Sequence, residues 1–247
     1  MGQGDRSLVP FLAQEERSFI IMILFSRPGP INTDAVVEVV LAESSKYEYI
    51  VAASVTGDSA VKIIEKVKNK KVVCVTCPQG MHWEVDKMNE DLFAKIPELA
   101  DIRDAWVKQG LTKVPMNVTA ENKLKLKSYA VPIVQGTIPF FGPSFSMRLH
   151  LHHISSLDIL AKTLELISTG TLVCLESVLM CVDAAIIPEH EEVLAVAGTE
   201  RGLDTAWVIR SSASANLFHP EKGSRFVELI AKPRIAMQPD VNIEYLR

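Results

Sequence analysis

Residues 49–63, YIVAASVTGDSAVKI, decide the fold of the chain, because they join two kinds of secondary structure through one short turn. The run begins with five apolar residues, a pattern typical of a central parallel strand that is buried on both faces. From Ser59 to Lys68 the apolar and charged residues recur with the period of an amphipathic helix, and residues 72–76 return to an apolar strand. The stretch therefore predicts a β-α-β unit.

The same alternation of strand and helix patterns extends over most of the chain. We expect helices at residues 33–45 (with Asn32 as N-cap), 101–109, 157–167 and 171–187, and further strands at residues 129–135, 192–197, 204–210 and 227–231. The last helix is apolar almost all round, which predicts burial. An edge strand would tolerate Pro132, and residues 78–128 read as polar and irregular, with at least one helix.

This order of elements predicts an α/β fold of three layers, built on a mostly parallel, doubly wound sheet. Residues 1–24 contain Gly2, Gly4 and Pro10, which break any regular period, so we assign them to an N-terminal extension. Residues 25–247 form the α/β domain in this interpretation.

Composition excludes several classes of partner. The net charge is −4 and the lysines are scattered apart from residues 66–71 and 123–127, so no broad basic face for nucleic acid is expected. The apolar run at residues 19–25 is too short to span a bilayer, which predicts no membrane contact and a cytoplasmic protein. The four cysteines are expected to be reduced and mostly packed, and homo-oligomer formation stays open.

The motifs of common enzymes are missing, including the P-loop, the dinucleotide fingerprint, the zincin helix and the nucleophile elbow. What remains is two turns that follow strands. In the first, Ser54, Thr56 and Ser59 offer hydroxyls and Gly57 permits close backbone approach, at the start of a helix where an anion is favoured. The same residues also suit simple helix capping, and Asp58 opposes a phosphate unless its carboxylate points away.

The second turn, AGTERGLDTA at residues 197–206, offers Arg201 to an anion and Asp204 as an acceptor for a ligand hydroxyl. Its alternative is a tight surface turn. Glu176 and Asp183 lie seven residues apart on the apolar helix, where they either orient a ligand or, more commonly, bond to neighbouring backbone. The histidines at positions 150, 152 and 153 lack the spaced partners of a metal site, so no metal is expected.

The segment from residue 49 to residue 76 resembles the effector-phosphate segment of the pyruvate kinase C-terminal domain. Over residues 25–234 the chain is similar to a family of stand-alone prokaryotic proteins named for that domain. The motifs that carry this resemblance are Pro28-Gly, Asn32-Thr, Ser54-Val-Thr-Gly, Ser168-Thr-Gly-Thr, Glu176 to Asp183, Gly198-Thr, Asp204-Thr-Ala and Lys232-Pro-Arg.

The resemblance implies a three-layer α/β fold and a bound phosphorylated ligand, with flavin mononucleotide (FMN) as the tentative cofactor. It places the phosphate at Ser54, Thr56, Gly57 and Ser59. The residues it places near the rest of the ligand are Gly136, Thr137, Gly198, Thr199, Gly202, Asp204 and Thr205. Where this family usually has a Thr-His-Ala-like turn, the chain has Thr137-Ile-Pro, which removes one expected hydrogen bond to a flavin.

The catalytic barrel of pyruvate kinase has no counterpart in the chain, so phosphoryl transfer from phosphoenolpyruvate is not expected. The leading hypothesis is an FMN-binding protein, and whether it catalyses a flavin-dependent reaction is left open. The alternatives are a regulatory module that senses a sugar phosphate without catalysis, and an interaction subunit whose site has decayed.

Overall fold

The computed structural model describes residues 22–234, which contain two sheets and eight α-helices. The strands are β1 (Ile23–Phe25), β2 (Tyr49–Ala53), β3 (Lys71–Thr76), β4 (His82–Glu84), β5 (Lys113–Pro115), β6 (Ile133–Gln135), β7 (Glu192–Ala197), β8 (Thr205–Arg210) and β9 (Arg225–Pro233). The helices are α1 (Thr33–Glu43), α2 (Asp58–Lys66), α3 (Glu90–Lys95), α4 (Glu98–Lys108), α5 (Ala120–Ser128), α6 (Gly142–Leu151), α7 (Ser156–Glu165) and α8 (Thr169–Asp183).

Seven strands form the central sheet in the order β1-β9-β8-β7-β2-β3-β6. Four of the neighbouring pairs are parallel, and only the pairs of β8 with β7 and with β9 are antiparallel. Residues 198–204, which join β7 to β8, are too few for the crossover that a parallel pair needs. The mostly parallel sheet that the sequence predicts is confirmed.

Helices cover both faces of this sheet, because alternate strand residues point to opposite sides. Ile50 faces the layer of α1, α2 and α5, together with Val72 and Leu194, which flank it on β3 and β7. The next residue, Val51, faces the layer of α7 and α8. Along α8 almost every residue is buried, as its uniformly apolar sequence predicts.

The prediction for residues 78–128 was wrong in part, since this stretch is largely regular. Besides α4 it holds α3, α5 and the antiparallel pair of β4 and β5. The short helices are set by local caps, because Asn89 and Thr119 each accept a hydrogen bond from a backbone N–H in the first turn. Residues 78–117, called the cap segment below, have their own small core around Phe93 and Ile96.

Three further details refine the prediction. β6 lies at the sheet edge and begins just after Pro132, as expected. The missing N–H of the proline therefore costs the sheet no ladder hydrogen bond. The sequence did not predict α6. The sheet already includes Ile23 and Leu24, two residues before the assigned start of the domain, because β1 pairs with the end of β9. Residues 1–21 of the assigned extension lie outside the described residues.

Candidate ligand-binding cleft

A cleft opens at the carboxyl ends of β2 and β7, which are parallel neighbours in the sheet. The chain leaves β2 toward α2 and β3 on one side, and it leaves β7 toward β8 on the other. Where connections diverge in this way, an open α/β sheet leaves a crevice that binds ligands. Here the crevice is a cavity of about 740 Å³, a size typical of small-molecule sites.

Four parts of the chain build the cavity wall. They are the first turn (Ser54, Thr56, Asp58 and Ser59), the second turn (Gly198, Glu200, Arg201 and Gly202), the cap segment (including Met81, Trp83 and Met116) and one stripe of α8 (Thr169, Val173, Glu176, Ser177 and Met180). The wall is completed by the loop before α1 with the start of that helix (Pro30, Ile31, Thr33 and Asp34), by the end of β3 with the residue after it (Val75, Thr76 and Cys77) and by Ile138. Five of the residues predicted for the site therefore share the cavity, namely Ser54, Thr56, Ser59, Gly198 and Gly202. The other six lie outside its wall.

In the first turn, the Ser54 hydroxyl oxygen caps α2. It accepts hydrogen bonds from the N–H groups of Ser59 at 3.1 Å and Ala60 at 3.5 Å. Gly57 adopts a left-handed conformation with φ of 89°, and a Cβ at this position would lie 2.8 Å from Val118. The turn thus caps α2 and also lines the cavity. Helix capping and ligand binding are therefore compatible roles for its hydroxyls.

The Asp58 carboxylate is the dominant charge at this turn. It accepts hydrogen bonds from the Thr56 hydroxyl at 2.6 Å and from the Asn122 amide at 2.7 Å, and Arg201 lies at 3.5 Å. Partial burial raises the pKa of Asp58, but these hydrogen bonds and the charge of Arg201 outweigh it and leave the pKa below its usual range. The second cation of the cavity wall, Lys62, pairs with Asp34 at 2.7 Å.

In the second turn, Asp204 is fully buried and all its hydrogen bonds are internal. It accepts from Gly29 N at 2.9 Å, from Thr199 N at 3.1 Å and from the Thr205 hydroxyl at 2.8 Å. Burial raises the pKa of Asp204, and these hydrogen bonds oppose the rise. Asp204 therefore holds the turn against the loop before α1, and Asp204, Thr199 and Thr205 all lie outside the cavity wall.

Gly136 and Thr137 also lie outside the wall, although the next residue, Ile138, contributes to it. The Thr137 side chain instead packs against the start of α6, where a Cβ on Gly142 would meet its methyl carbon. The resemblance placed ligand contacts at Gly136 and Thr137, but only the next residue, the apolar Ile138, lines the cavity.

Glu176 lines the inner part of the cavity on α8. Its side chain is 6% exposed, and Oε1 accepts a hydrogen bond from Phe140 N at 3.0 Å. Burial raises the pKa of Glu176 to about 8 despite this bond. Asp183, at the other end of the helix, is exposed and accepts from Ser214 N at 2.9 Å. Both carboxylates thus bond to backbone, the more ordinary of the two predicted arrangements.

The cap segment supplies the wall residues that the sequence did not predict. Trp83 of β4 lines the cavity. The centre of its ring lies 5.4 Å from the ring centre of Trp106 and 5.7 Å from the Arg201 guanidinium. A bidentate pair between Arg27 and Glu98, at 2.5 and 3.0 Å, ties the segment to the loop before α1. Trp83 and Trp106, two tryptophans in an otherwise polar stretch, are the sequence signal that could have pointed to this wall.

Comparison with models of known protein families finds none that matches the chain. None of the helices between residues 22 and 234 combines the length and apolar composition needed to cross a bilayer. Within the same residues, no three His, Cys, Asp or Glu side chains are grouped so as to hold a metal ion.

Proposed function

We propose that the cleft binds a phosphorylated small molecule that carries a planar ring, with FMN as the leading candidate. One observation carries this proposal: the wall of the cavity at the ends of β2 and β7 includes two cations, Lys62 and Arg201, together with apolar and aromatic side chains such as Val173, Met180 and Trp83. Such a combination suits a ligand with an anionic end and an aromatic end.

The phosphate end is assigned to the first turn. Ser54 and Ser59 place hydroxyls at the start of α2, where the helix dipole favours an anion. Arg201 and Lys62 are the cations that line the same cavity, and both are partly exposed, so exchanging a carboxylate partner for a phosphate is inexpensive. The Asp58 carboxylate opposes the phosphate, and Arg201 offsets only part of this repulsion.

The ring end is assigned to the space between α8 and the cap segment. Val173, Met180 and Ile138 supply apolar surface, and Trp83 supplies an aromatic face. Aromatic side chains and methionine both pack well against flat rings. The resemblance to the pyruvate kinase C-terminal family selects FMN among ligands of this shape.

The experiment is a pair of titrations of the purified protein, one with FMN and one with riboflavin, followed by flavin fluorescence and by the visible spectrum after removal of excess ligand. Riboflavin has the same ring and no phosphate, so the ratio of the two affinities isolates the phosphate contribution. We expect FMN to bind more tightly and to leave the protein yellow.

Gly136 and Thr137 lie outside the cavity wall, which favours a second candidate: a ligand smaller than FMN, such as a sugar phosphate. If neither flavin binds but glucose 6-phosphate stabilises the protein against heat, the sensor hypothesis replaces the flavin one. Failure of all three ligands would contradict the proposed phosphate site.

A further inference from the structure

The inner end of the cavity holds a carboxyl group without a counter-ion. Glu176 is more than nine-tenths buried and lines the cavity, yet it takes part in no salt bridge among the described residues. Its Oε1 accepts a hydrogen bond from Phe140 N, and within residues 22–234 Oε2 makes none, although Oε2 is not fully shielded from solvent. A carboxyl oxygen that keeps some exposure beside a cavity and makes no hydrogen bond within the described residues is available to a ligand.

The surroundings of Glu176 decide which form of the carboxyl is stable. The neighbouring wall is apolar, with Val173, Met180 and Ile138 lining the same cavity. The two cations of the wall are engaged elsewhere, Arg201 with Asp58 and Lys62 with Asp34. An ionised carboxylate is costly in such a place, whereas the neutral acid can still accept from Phe140 N and donate its own proton.

We propose that Glu176 determines the ligand specificity of the inner cleft by donating a hydrogen bond from its carboxyl group to an uncharged acceptor atom of the ligand ring. This inference rests on the proposed function and adds the class of atom that the deep end accepts. A ring carbonyl oxygen or an unprotonated ring nitrogen fits. When Glu176 is ionised, it repels a carboxylate on the inner end of the ligand. An ammonium group at that end fits only the ionised form of Glu176.

The burial of Glu176, which raises its pKa to about 8, sets the direction of the pH dependence. Below about pH 8 the group is protonated and can donate, and above it the donor is lost, so affinity should fall as the pH rises. The other charged residues of the cavity wall are Asp34, Asp58, Lys62, Glu98, Glu200 and Arg201. Glu165 on α7 acts on Glu176 through its charge, and burial raises the pKa of Cys77, which also lines the cavity, to about 11.

The test uses riboflavin, which carries uncharged acceptors on its ring and lacks phosphate, so the outer phosphate site does not contribute. Between about pH 7 and about pH 9, the affinity of the unaltered protein should fall about tenfold, because the protonated fraction falls by that factor. In the Glu176→Gln variant the amide accepts from Phe140 N and donates into the cavity at every pH. Its affinity should match that of the unaltered protein at the lower pH and should not fall.

Asp183→Asn is the matched control, because it makes the same chemical change on α8 at an exposed position outside the cavity. It should keep the full pH dependence of the unaltered protein. Riboflavin binding with the same pH dependence in Glu176→Gln would overturn the inference and leave the proposed function standing. Affinity that rises with pH would also overturn it, since an ionised carboxylate would then be the binding form. If neither riboflavin nor FMN binds the unaltered protein, the proposed function fails and this inference fails with it.

Discussion

The two turns that follow β2 and β7 contain the same kinds of residue, but their aspartates have different roles. Each has a glycine with positive φ, at least one threonine and one aspartate, and the two turns follow neighbouring parallel strands. The Asp58 side chain is 57% exposed, beside the cavity, whereas Asp204 is 0% exposed. The aspartate of the first turn is therefore accessible from the cavity, whereas the aspartate of the second turn connects two parts of the fold.

The cause of this difference is what packs on each turn. The loop before α1 covers the second turn, with Gly29 donating its N–H to Asp204 and Thr33 accepting from Leu203 N. Gly202, with φ of 71°, permits this contact, because a Cβ there would lie 2.4 Å from the Thr33 hydroxyl. The first turn contacts α5 through Asn122, which donates to Thr56 O, and its residues Ser54, Thr56 and Ser59 line the cavity.

The largest expected effect comes from Asp204→Ala. The change leaves the N–H groups of Gly29 and Thr199 buried without an acceptor, which should lower the free energy of unfolding by about 3–5 kcal/mol. Urea denaturation of the purified protein measures it. Asp58→Ala is the comparison variant, since its carboxylate is partly exposed, and it should cost much less. Equal losses for the two variants would show that the turns do not differ in this way.

Much of the fold could be predicted from sequence, because burial on both faces leaves a continuous apolar signal. The strands at residues 49–53 and 192–197 and the buried helix around Leu175 follow directly from it. The cap segment could not be predicted in this way, because each of its helices buries a single residue and its small core around Phe93 leaves no period long enough to detect.

For the candidate site, the sequence could predict where the two turns lie but not which of their side chains face a ligand. The turns could be located because each follows a strand pattern and contains glycine. Which hydroxyls and carboxylates face a ligand depends on contacts between residues far apart in sequence, such as Gly29 with Asp204. For the same reason the sequence left the role of Glu176 open, since its surroundings are set by the loop at Phe140.

An intermediate effect is expected for Ser54→Ala, which tests the double role of the first turn. Removing the cap of α2 should lower the free energy of unfolding by about 1 kcal/mol, well below the loss at Asp204. The neighbouring Ser59 lines the cavity without a side-chain hydrogen bond among the described residues, so Ser59→Ala should leave the stability nearly unchanged. Thermal denaturation distinguishes the two serines, and a larger loss for Ser59→Ala would contradict the capping geometry.

The smallest effect on stability, and the sharpest test of the first turn as a phosphate site, comes from two lysines of α2. Lys62 and Lys66 pair with Asp34 and Glu38 of α1 at the same distance of 2.7 Å, and both pairs are exposed. Only Lys62 lines the cavity. Changing either lysine to glutamine should leave the melting temperature almost unchanged, because exposed pairs contribute little.

The ligand should separate the two variants where stability does not. Lys62→Gln removes a cation that we place beside the phosphate, so the affinity for FMN should fall about fivefold, the factor that corresponds to about 1 kcal/mol. Its affinity for riboflavin should stay the same, because that ligand has no phosphate to lose a partner. Lys66→Gln should change neither affinity. Equal losses of FMN affinity in both variants would indicate a long-range effect of net charge, and the phosphate would then have to be placed away from the first turn.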